Sequence, residues 1–184
     1  NIEKLNLSNL PFRLQNISSG IINDSKSTNS AALLYAINKL NFRGDLIICG
    51  NPNKENYKEL HIEGPRRVFI YGKHRNELLN ILKHENISTF VNLDEIFNIL
   101  KNDKNKDILF SPGNPSGNDY SNFIERGQHF NNLKEKSDLS EEQIKELNQK
   151  FNIKIDKIKK QKSEKVYCNI CDRWIRKDGL SEHT

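Results

Sequence analysis

Two stretches of this sequence gather groups that hold anions. The first is Asn23-Asp24-Ser25-Lys26-Ser27-Thr28-Asn29, which follows a short apolar run and directly precedes residues with helical spacing. An ammonium and hydroxyls at a helix start meet unpaired N–H groups and the positive end of the helix dipole, a setting for a carboxylate or a phosphate. The same residue types are preferred helix caps, so Ser27 or Thr28 also reads as the cap of the following helix. The second stretch is Leu109-Phe110-Ser111-Pro112-Gly113-Asn114-Pro115-Ser116-Gly117-Asn118-Asp119-Tyr120, a strand opening into a Pro- and Gly-rich loop. By default that loop is a turn. It joins the first stretch only if their two strands lie close together in one sheet.

A third constellation carries metal chemistry. Cys168-Asn169-Ile170-Cys171 is followed, with eleven residues between, by His183. Two thiolates at this spacing with a downstream imidazole match the first three ligands of a two-cysteine, two-histidine zinc finger, whose fourth ligand is expected just past Thr184. Tyr167, Ile175 and Leu180 stand where such a finger keeps its small apolar core. A redox pair and incidental cysteines are the alternatives. Cys49 follows apolar residues and reads as a packed thiol, while His61, His74, His84 and His129 have no ligand-like spacing.

The elements that must position these groups alternate. Apolar runs at Gly20 to Asn23, Asp45 to Gly50, Arg67 to Gly72, Ser88 to Asn92 and Asp107 to Ser111 read as strands. Ala31 to Leu40, Asn76 to Leu82, Leu93 to Leu100 and Asp119 to Leu133 carry apolar residues three and four apart and read as helices. This pattern predicts an α/β fold, a Rossmann-like, mostly parallel sheet with helices on both faces. Functional groups in such folds collect at the carboxyl ends of the strands. Beyond Leu133, Ser140 and Gln143 fit a capping box ahead of a stripe at Ile144, Leu147, Phe151, Ile155 and Ile158. The expected organisation is a domain over 1–136, an amphipathic helix and basic linker over 137–165, and an incomplete zinc finger over 166–184.

Composition bounds these readings. The chain has 184 residues, 35% hydrophobic and 29% charged, enough for one ordinary core and a remainder. Its net charge of +5 falls entirely between Lys150 and Thr184, where ten basic residues face five acidic ones. That basic tail offers contacts to nucleic acid or to a protein. No stretch approaches a membrane span, and three cysteines do not make a disulfide framework, so a reducing, cytoplasmic setting without membrane is expected. Asn1 and the lack of any Met fit a piece of a longer protein.

Taken together, the first two stretches carry a resemblance. From about Leu10 to Leu133 the chain resembles the C-terminal domain of the Mur ligases, and within them the D-glutamate-adding branch. Leu10-Pro11-Phe12-Arg13 resembles the family's Leu-Pro-His-Arg, and Asn23 to Asn29 matches Asn-Asp-Ser-Lys-Ala-Thr-Asn at all but one position. Ile47-Cys49-Gly50 with Lys54 and Tyr57 is similar to the Gly-Gly loop with its later Lys and Phe, although Asn51-Pro52 replaces the second Gly. Ser111-Pro112 to Ser116 resembles Ser-Pro-Ala-Cys-Ala-Ser, and Tyr120, Phe123, Arg126, Gly127 and Phe130 fall in the register of the family's Phe, Phe, Arg-Gly and Phe.

The resemblance implies ATP-dependent ligation of an amino acid, D-glutamate, to a UDP-linked muramoyl substrate in peptidoglycan synthesis. It implies that Lys26, Thr28, Lys54, Ser116 and Tyr120 hold the amino acid and that Arg13 and Asp24 face the nucleotide. ATP and Mg would act through a central domain, because no G-x-x-x-x-G-K-[ST] phosphate loop occurs in this chain. The chain by itself is therefore expected to be inactive, with zinc at Cys168, Cys171 and His183 as its own metal. The alternative reading is a Mur-like scaffold without catalysis, serving a zinc-finger protein that binds nucleic acid or protein.

Overall fold

The computed structural model describes residues 10–54, 59–103, 107–138, 165–168 and 173–176; the side chains of Lys54, 165–168 and 173–176 lie outside the description. The chain forms two units, Asn1–Ser137 and Asp138–Thr184.

In the first unit, β1 (Gln15–Ser18) and β2 (Ile21–Asn23) form an antiparallel hairpin. The chain continues through α1 (Ser30–Leu40), β3 (Asp45–Cys49), a short 3-10 turn (Pro52–Lys54) and β4 (Leu60–His61). Next come β5 (Arg67–Tyr71), α2 (Arg75–Ile81), β6 (Leu82–Lys83) and β7 (Ile87–Phe90). α3 (Leu93–Leu100), β8 (Ile108–Phe110) and α4 (Phe123–Asp138) complete the unit. Six strands form one sheet in the order β1-β2-β8-β3-β5-β7, parallel throughout except for β1. β4 and β6 make a separate two-stranded parallel pair.

The alternation of side chains along a strand sorts the core into two layers. Ile47, Cys49, Phe69, Tyr71 and Phe110 face one side, with Ile96, Phe97 and Phe130 from α3 and α4. Phe130 stacks on Phe110 at 4.6 Å between ring centres and meets Phe97 edge-on at 5.5 Å. Leu46, Ile48, Val68, Ile70 and Leu109 face the other side, with Leu33, Ala36 and Ile37 of α1 and Leu78 of α2. Both faces of the sheet are therefore covered, as the continuous apolar runs required.

All five expected strands are present; the first three expected helices agree to within one residue, and the last is shifted, running from Phe123 to Asp138. The cap of α1 is Asn29, not Ser27 or Thr28: its Oδ1 accepts from the Ala32 N–H at 2.8 Å. α4 begins at Phe123, not Asp119, because Asn122 Oδ1 accepts from the N–H groups of Ile124 and Glu125 and sets the helix start there. The hairpin strand β1 and the pair β4–β6 had no periodic apolar signal to announce them, being two to four residues long.

In the second unit, β9 (Lys165–Cys168) pairs antiparallel with β10 (Arg173–Arg176), Cys168 opposite Arg173. The amphipathic helix expected over 137–165 lies almost wholly outside the described residues. Among the described residues no helix is long and apolar enough to cross a membrane.

Candidate functional site

The carboxyl ends of the strands converge as the topology demands. β2 and β8 are parallel neighbours with Asn23 opposite Phe110, and β8 also pairs with β3. The loops after all three strands, starting at Asp24, Ser111 and Gly50, therefore leave one edge of the sheet side by side. The condition that would join the two anion-holding stretches is met.

Arg126 of α4 ties these loops together from below. It is fully buried and donates through Nε to Ser25 Oγ at 3.1 Å, through Nη2 to the Ser25 carbonyl at 2.7 Å, and through Nη1 to the Asn114 carbonyl at 2.9 Å. Ser25 Oγ in turn donates to the Phe123 carbonyl at 2.7 Å. Asn23 Nδ2 donates to the Gly127 carbonyl and to Asn131 Oδ1. The third loop joins through the Asn51 N–H, which donates to the Pro115 carbonyl at 3.0 Å. Gly50 makes that approach possible: its φ of +99° is in the left-handed region, and a Cβ there would collide with the Pro115 carbonyl oxygen.

Asp24 fastens the opening segment. Its Oδ1 accepts from the Leu14 N–H at 3.0 Å and its Oδ2 from Ser111 Oγ at 2.9 Å. Burial raises its pKa above the usual carboxylate value, against the opposing pull of these two bonds and of Arg13. The Lys26 N–H donates to the Phe12 carbonyl at 2.9 Å. Arg13 is thus presented between two residues with left-handed backbone, Phe12 at φ +62° and Leu14 at φ +44°. Bulky residues pay for that conformation, and here the hydrogen bonds to Asp24 and Lys26 hold it.

The expected site residues divide between two clefts of about 410 Å³ each. Arg13, Asp24, Lys26 and the buried Ser27 line the first, together with Tyr35 and Lys39 of α1. Thr28 and Ser116 line the second, with Asn51, Asn118, Asn122 and Phe123. Lys26 stands where they meet, its Nζ 5.2 Å from the centre of the Phe123 ring. Neither Lys26 nor Arg13 forms a salt bridge among the described residues. Cations that form no salt bridge among the described residues, beside hydroxyls and an aromatic ring, have the chemistry to meet a carboxylate or a phosphate-like group.

Two expected residues stand apart. Tyr120 does not line either cleft; its ring packs on the core, and its hydroxyl lies 3.2 Å from that of Tyr71 and 2.8 Å from His129 Nδ1. The aromatic side chain in the cleft with Thr28 and Ser116 is Phe123. Lys54 ends the 3-10 turn, and its side chain lies outside the described residues, as do Cys171, His183 and the side chain of Cys168. Arg126 was not foreseen as a site organiser, although a signal existed: it falls three residues after Phe123 and four before Phe130, a charge within an apolar stripe. Cys49 is buried as expected, and burial raises its thiol pKa.

A larger cleft of about 830 Å³ lies at the amino ends of β5 and β7, lined by Ile62, Pro65, Leu82, His84 and Ile87 among others. None of the residues expected at the site is in it. Parallel sheets gather their binding groups at the opposite ends of the strands, where the anchored loops are.

The fold and edge define an α/β domain whose anchored loops gather cations and hydroxyls at the carboxyl ends of its strands. No protein-family profile matches the chain. It is 36% identical over 121 residues to a UDP-N-acetylmuramoylalanine–D-glutamate ligase of Fervidobacterium nodosum, covering 62% of this chain and 29% of that relative. It is 33% identical over 120 residues to the ligase of the same name in a Thermotoga species, covering 62% and 27%. A third ligase of that name, from Prochlorococcus marinus, is 31% identical over 143 residues, covering 70% of this chain and 31% of its own. The chain spans about three tenths of the length of these relatives. The domain is Mur ligase-like.

Proposed function

We propose that this domain captures the incoming amino acid, D-glutamate, for an ATP-dependent carbon–nitrogen ligation onto a UDP-linked muramoyl substrate. The observation that carries this reading is the parallel pairing of β2 with β8, which puts Thr28 and Ser116 in one cleft and Lys26, without a salt bridge among the described residues, at its rim. A dicarboxylic amino acid suits that arrangement. The ammonium groups of Lys26 and Lys54 and the hydroxyls of Thr28 and Ser116 would hold its carboxylates, and the Phe123 ring would cover its methylenes. Tyr120 supports the same loop from the core side.

Arg13 and Asp24 face the neighbouring cleft, where Arg13 would meet phosphate and Asp24 the ribose of a nucleotide. ATP and magnesium supply activation of the acceptor carboxylate as an acyl phosphate, through a phosphate-loop domain that this sequence lacks. The amine then attacks the acyl carbon, phosphate leaves, and the amine gives up its proton. An acyl phosphate is lost to water, so a domain that orients the amine while closing off solvent contributes directly to the rate.

Titration of the isotopically labelled chain with D-glutamate, followed by amide chemical shifts, tests the reading. Shifts are expected at Thr28, Asn51 and Ser116 and none at His84. Lys26→Ala removes a charge-assisted bond of about 1.5–3 kcal/mol, which is roughly 10- to 150-fold in affinity, and leaves the thermal unfolding midpoint within about a degree or two. Shifts confined to the His84 cleft, or unchanged affinity in Lys26→Ala, would refute the assignment.

A further inference from the structure

We propose that the Ser27 hydroxyl is a specificity-determining contact of the Arg13–Asp24 cleft, donating to a phosphate oxygen of the nucleotide that the cleft receives. The inference rests on the reading of that cleft as a nucleotide site and adds a residue that the family motif does not supply. Ser27 stands where Asn-Asp-Ser-Lys-Ala-Thr-Asn has Ala, the one departure in that stretch.

The hydroxyl has no structural employment. Ser27 is 2% exposed, and its Oγ has no hydrogen-bond partner among the described residues. A hydroxyl shut away from water without a partner costs stability, so such a group calls for a reason. The ordinary uses of a serine here are taken by others. Asn29 caps α1, and the hydroxyls of Ser25 and Ser111 make the bonds that fasten the loops. Ser27 shapes its own turn through the backbone, its N–H donating to the Asp24 carbonyl at 2.8 Å.

What surrounds the hydroxyl selects the ligand. Ser27 lines its cleft with Arg13, Lys26 and Lys39, three cations against the single carboxylate of Asp24. None of the three forms a salt bridge among the described residues. Lys39 Nζ stands instead 5.5 Å from the centre of the Tyr35 ring. Both oxygens of Asp24 already accept, from Leu14 and Ser111. The complement of an unmet donor among cations is an anion that carries acceptors only, which is the character of phosphate oxygens. A serine Oγ passes between staggered positions, so the hydroxyl can turn to an oxygen seated in the cleft. Keeping it buried until then gives up stability for binding.

Calorimetric titration of the 184-residue chain with inorganic triphosphate and, separately, with adenosine tests the contact. Triphosphate should bind, lose most of its affinity in Arg13→Ala, and bind about tenfold more weakly in Ser27→Ala. Adenosine and D-glutamate should respond to Ser27→Ala as they do to the natural chain. The thermal unfolding midpoint of Ser27→Ala should equal or exceed that of the natural chain, because a stranded hydroxyl has gone. A serine that held the loop would lower the midpoint when lost, so weaker binding without lower stability marks a ligand contact. Full triphosphate affinity in Ser27→Ala with impaired Arg13→Ala would overturn the contact and leave the nucleotide cleft standing. Failure of the natural chain to bind triphosphate, or full affinity in both variants, would overturn the two together. A lowered midpoint, or weakening of adenosine in place of triphosphate, would overturn the assignment of the hydroxyl to phosphate.

Discussion

The two ends of the parallel strands both carry buried charge, and they treat it in opposite ways. At the amino ends, Asp45 is completely buried and accepts from Arg66 at 2.8 Å and from Arg67 through both oxygens at 2.6 and 2.8 Å; Asp103 joins both arginines. Asp45 and Asp103 drive the Arg67 pKa still higher. At the carboxyl ends, Arg126 is given to neutral oxygens, and Lys26 and Arg13 have no salt bridge among the described residues. Charge matched within the chain clamps the strands. Charge without a salt bridge beside a cleft is what the proposed anion capture would use.

The sharpest way to break this comparison is Arg126→Met. It removes the donor to two buried carbonyls and a hydroxyl, each of which costs about 1–3 kcal/mol when stranded, so a loss of about 3–5 kcal/mol is expected. Because the same side chain joins the loops at Ser25 and Asn114, D-glutamate affinity should fall even at temperatures where the variant remains folded. Denaturant unfolding and calorimetric titration measure the two effects. A stable variant with lost binding would limit Arg126 to loop placement, and a destabilised variant with full affinity would remove it from the site.

Asp45→Asn is the control at the other end. Asp45 is buried but both guanidinium groups reach water, with side chains 34% and 24% exposed, which screens the ion pairs. The expected cost is about 2 kcal/mol, between that of exposed and buried pairs. D-glutamate affinity should not change. A loss of affinity in Asp45→Asn would show that the two ends are coupled and that the contrast drawn between them is false.

Much of this contrast was legible in the sequence because it follows from period and position. The runs at Asp45 to Gly50 and Arg67 to Gly72 are too apolar for anything but two-sided burial, and their carboxyl ends had to bear the loops. What could not be read was which loops meet, since that depends on β8 inserting between β2 and β3 although it is last in sequence among the strands of that sheet. Nor could the register of aromatic residues assign the cleft. Tyr120 and Phe123 are three apart, and only the start of α4 at Phe123 turns the latter to the cleft while Tyr120 is held against Tyr71 and His129.

The smallest effect sharpens the comparison most, because it concerns a buried carboxylate on which Arg13 acts without a salt bridge among the described residues. Burial raises the Asp24 pKa above 3.8, its value in the unfolded chain. The folded state therefore binds this proton more tightly, and Asp24 contributes stability that is full below pH 3.8 and lost as pH rises through its raised value. Asn in its place keeps an acceptor for the Leu14 N–H and does not titrate. Relative to the natural chain, Asp24→Asn should gain stability as pH is raised from about 3.5 to about 7, a difference read from denaturant midpoints across that range. Parallel curves for the two proteins would mean that the Leu14, Ser111 and Arg13 interactions fully offset burial. A widening gap would mean that this edge gives up stability to hold Asp24 charged beside Arg13, which is the behaviour of a group kept for a ligand.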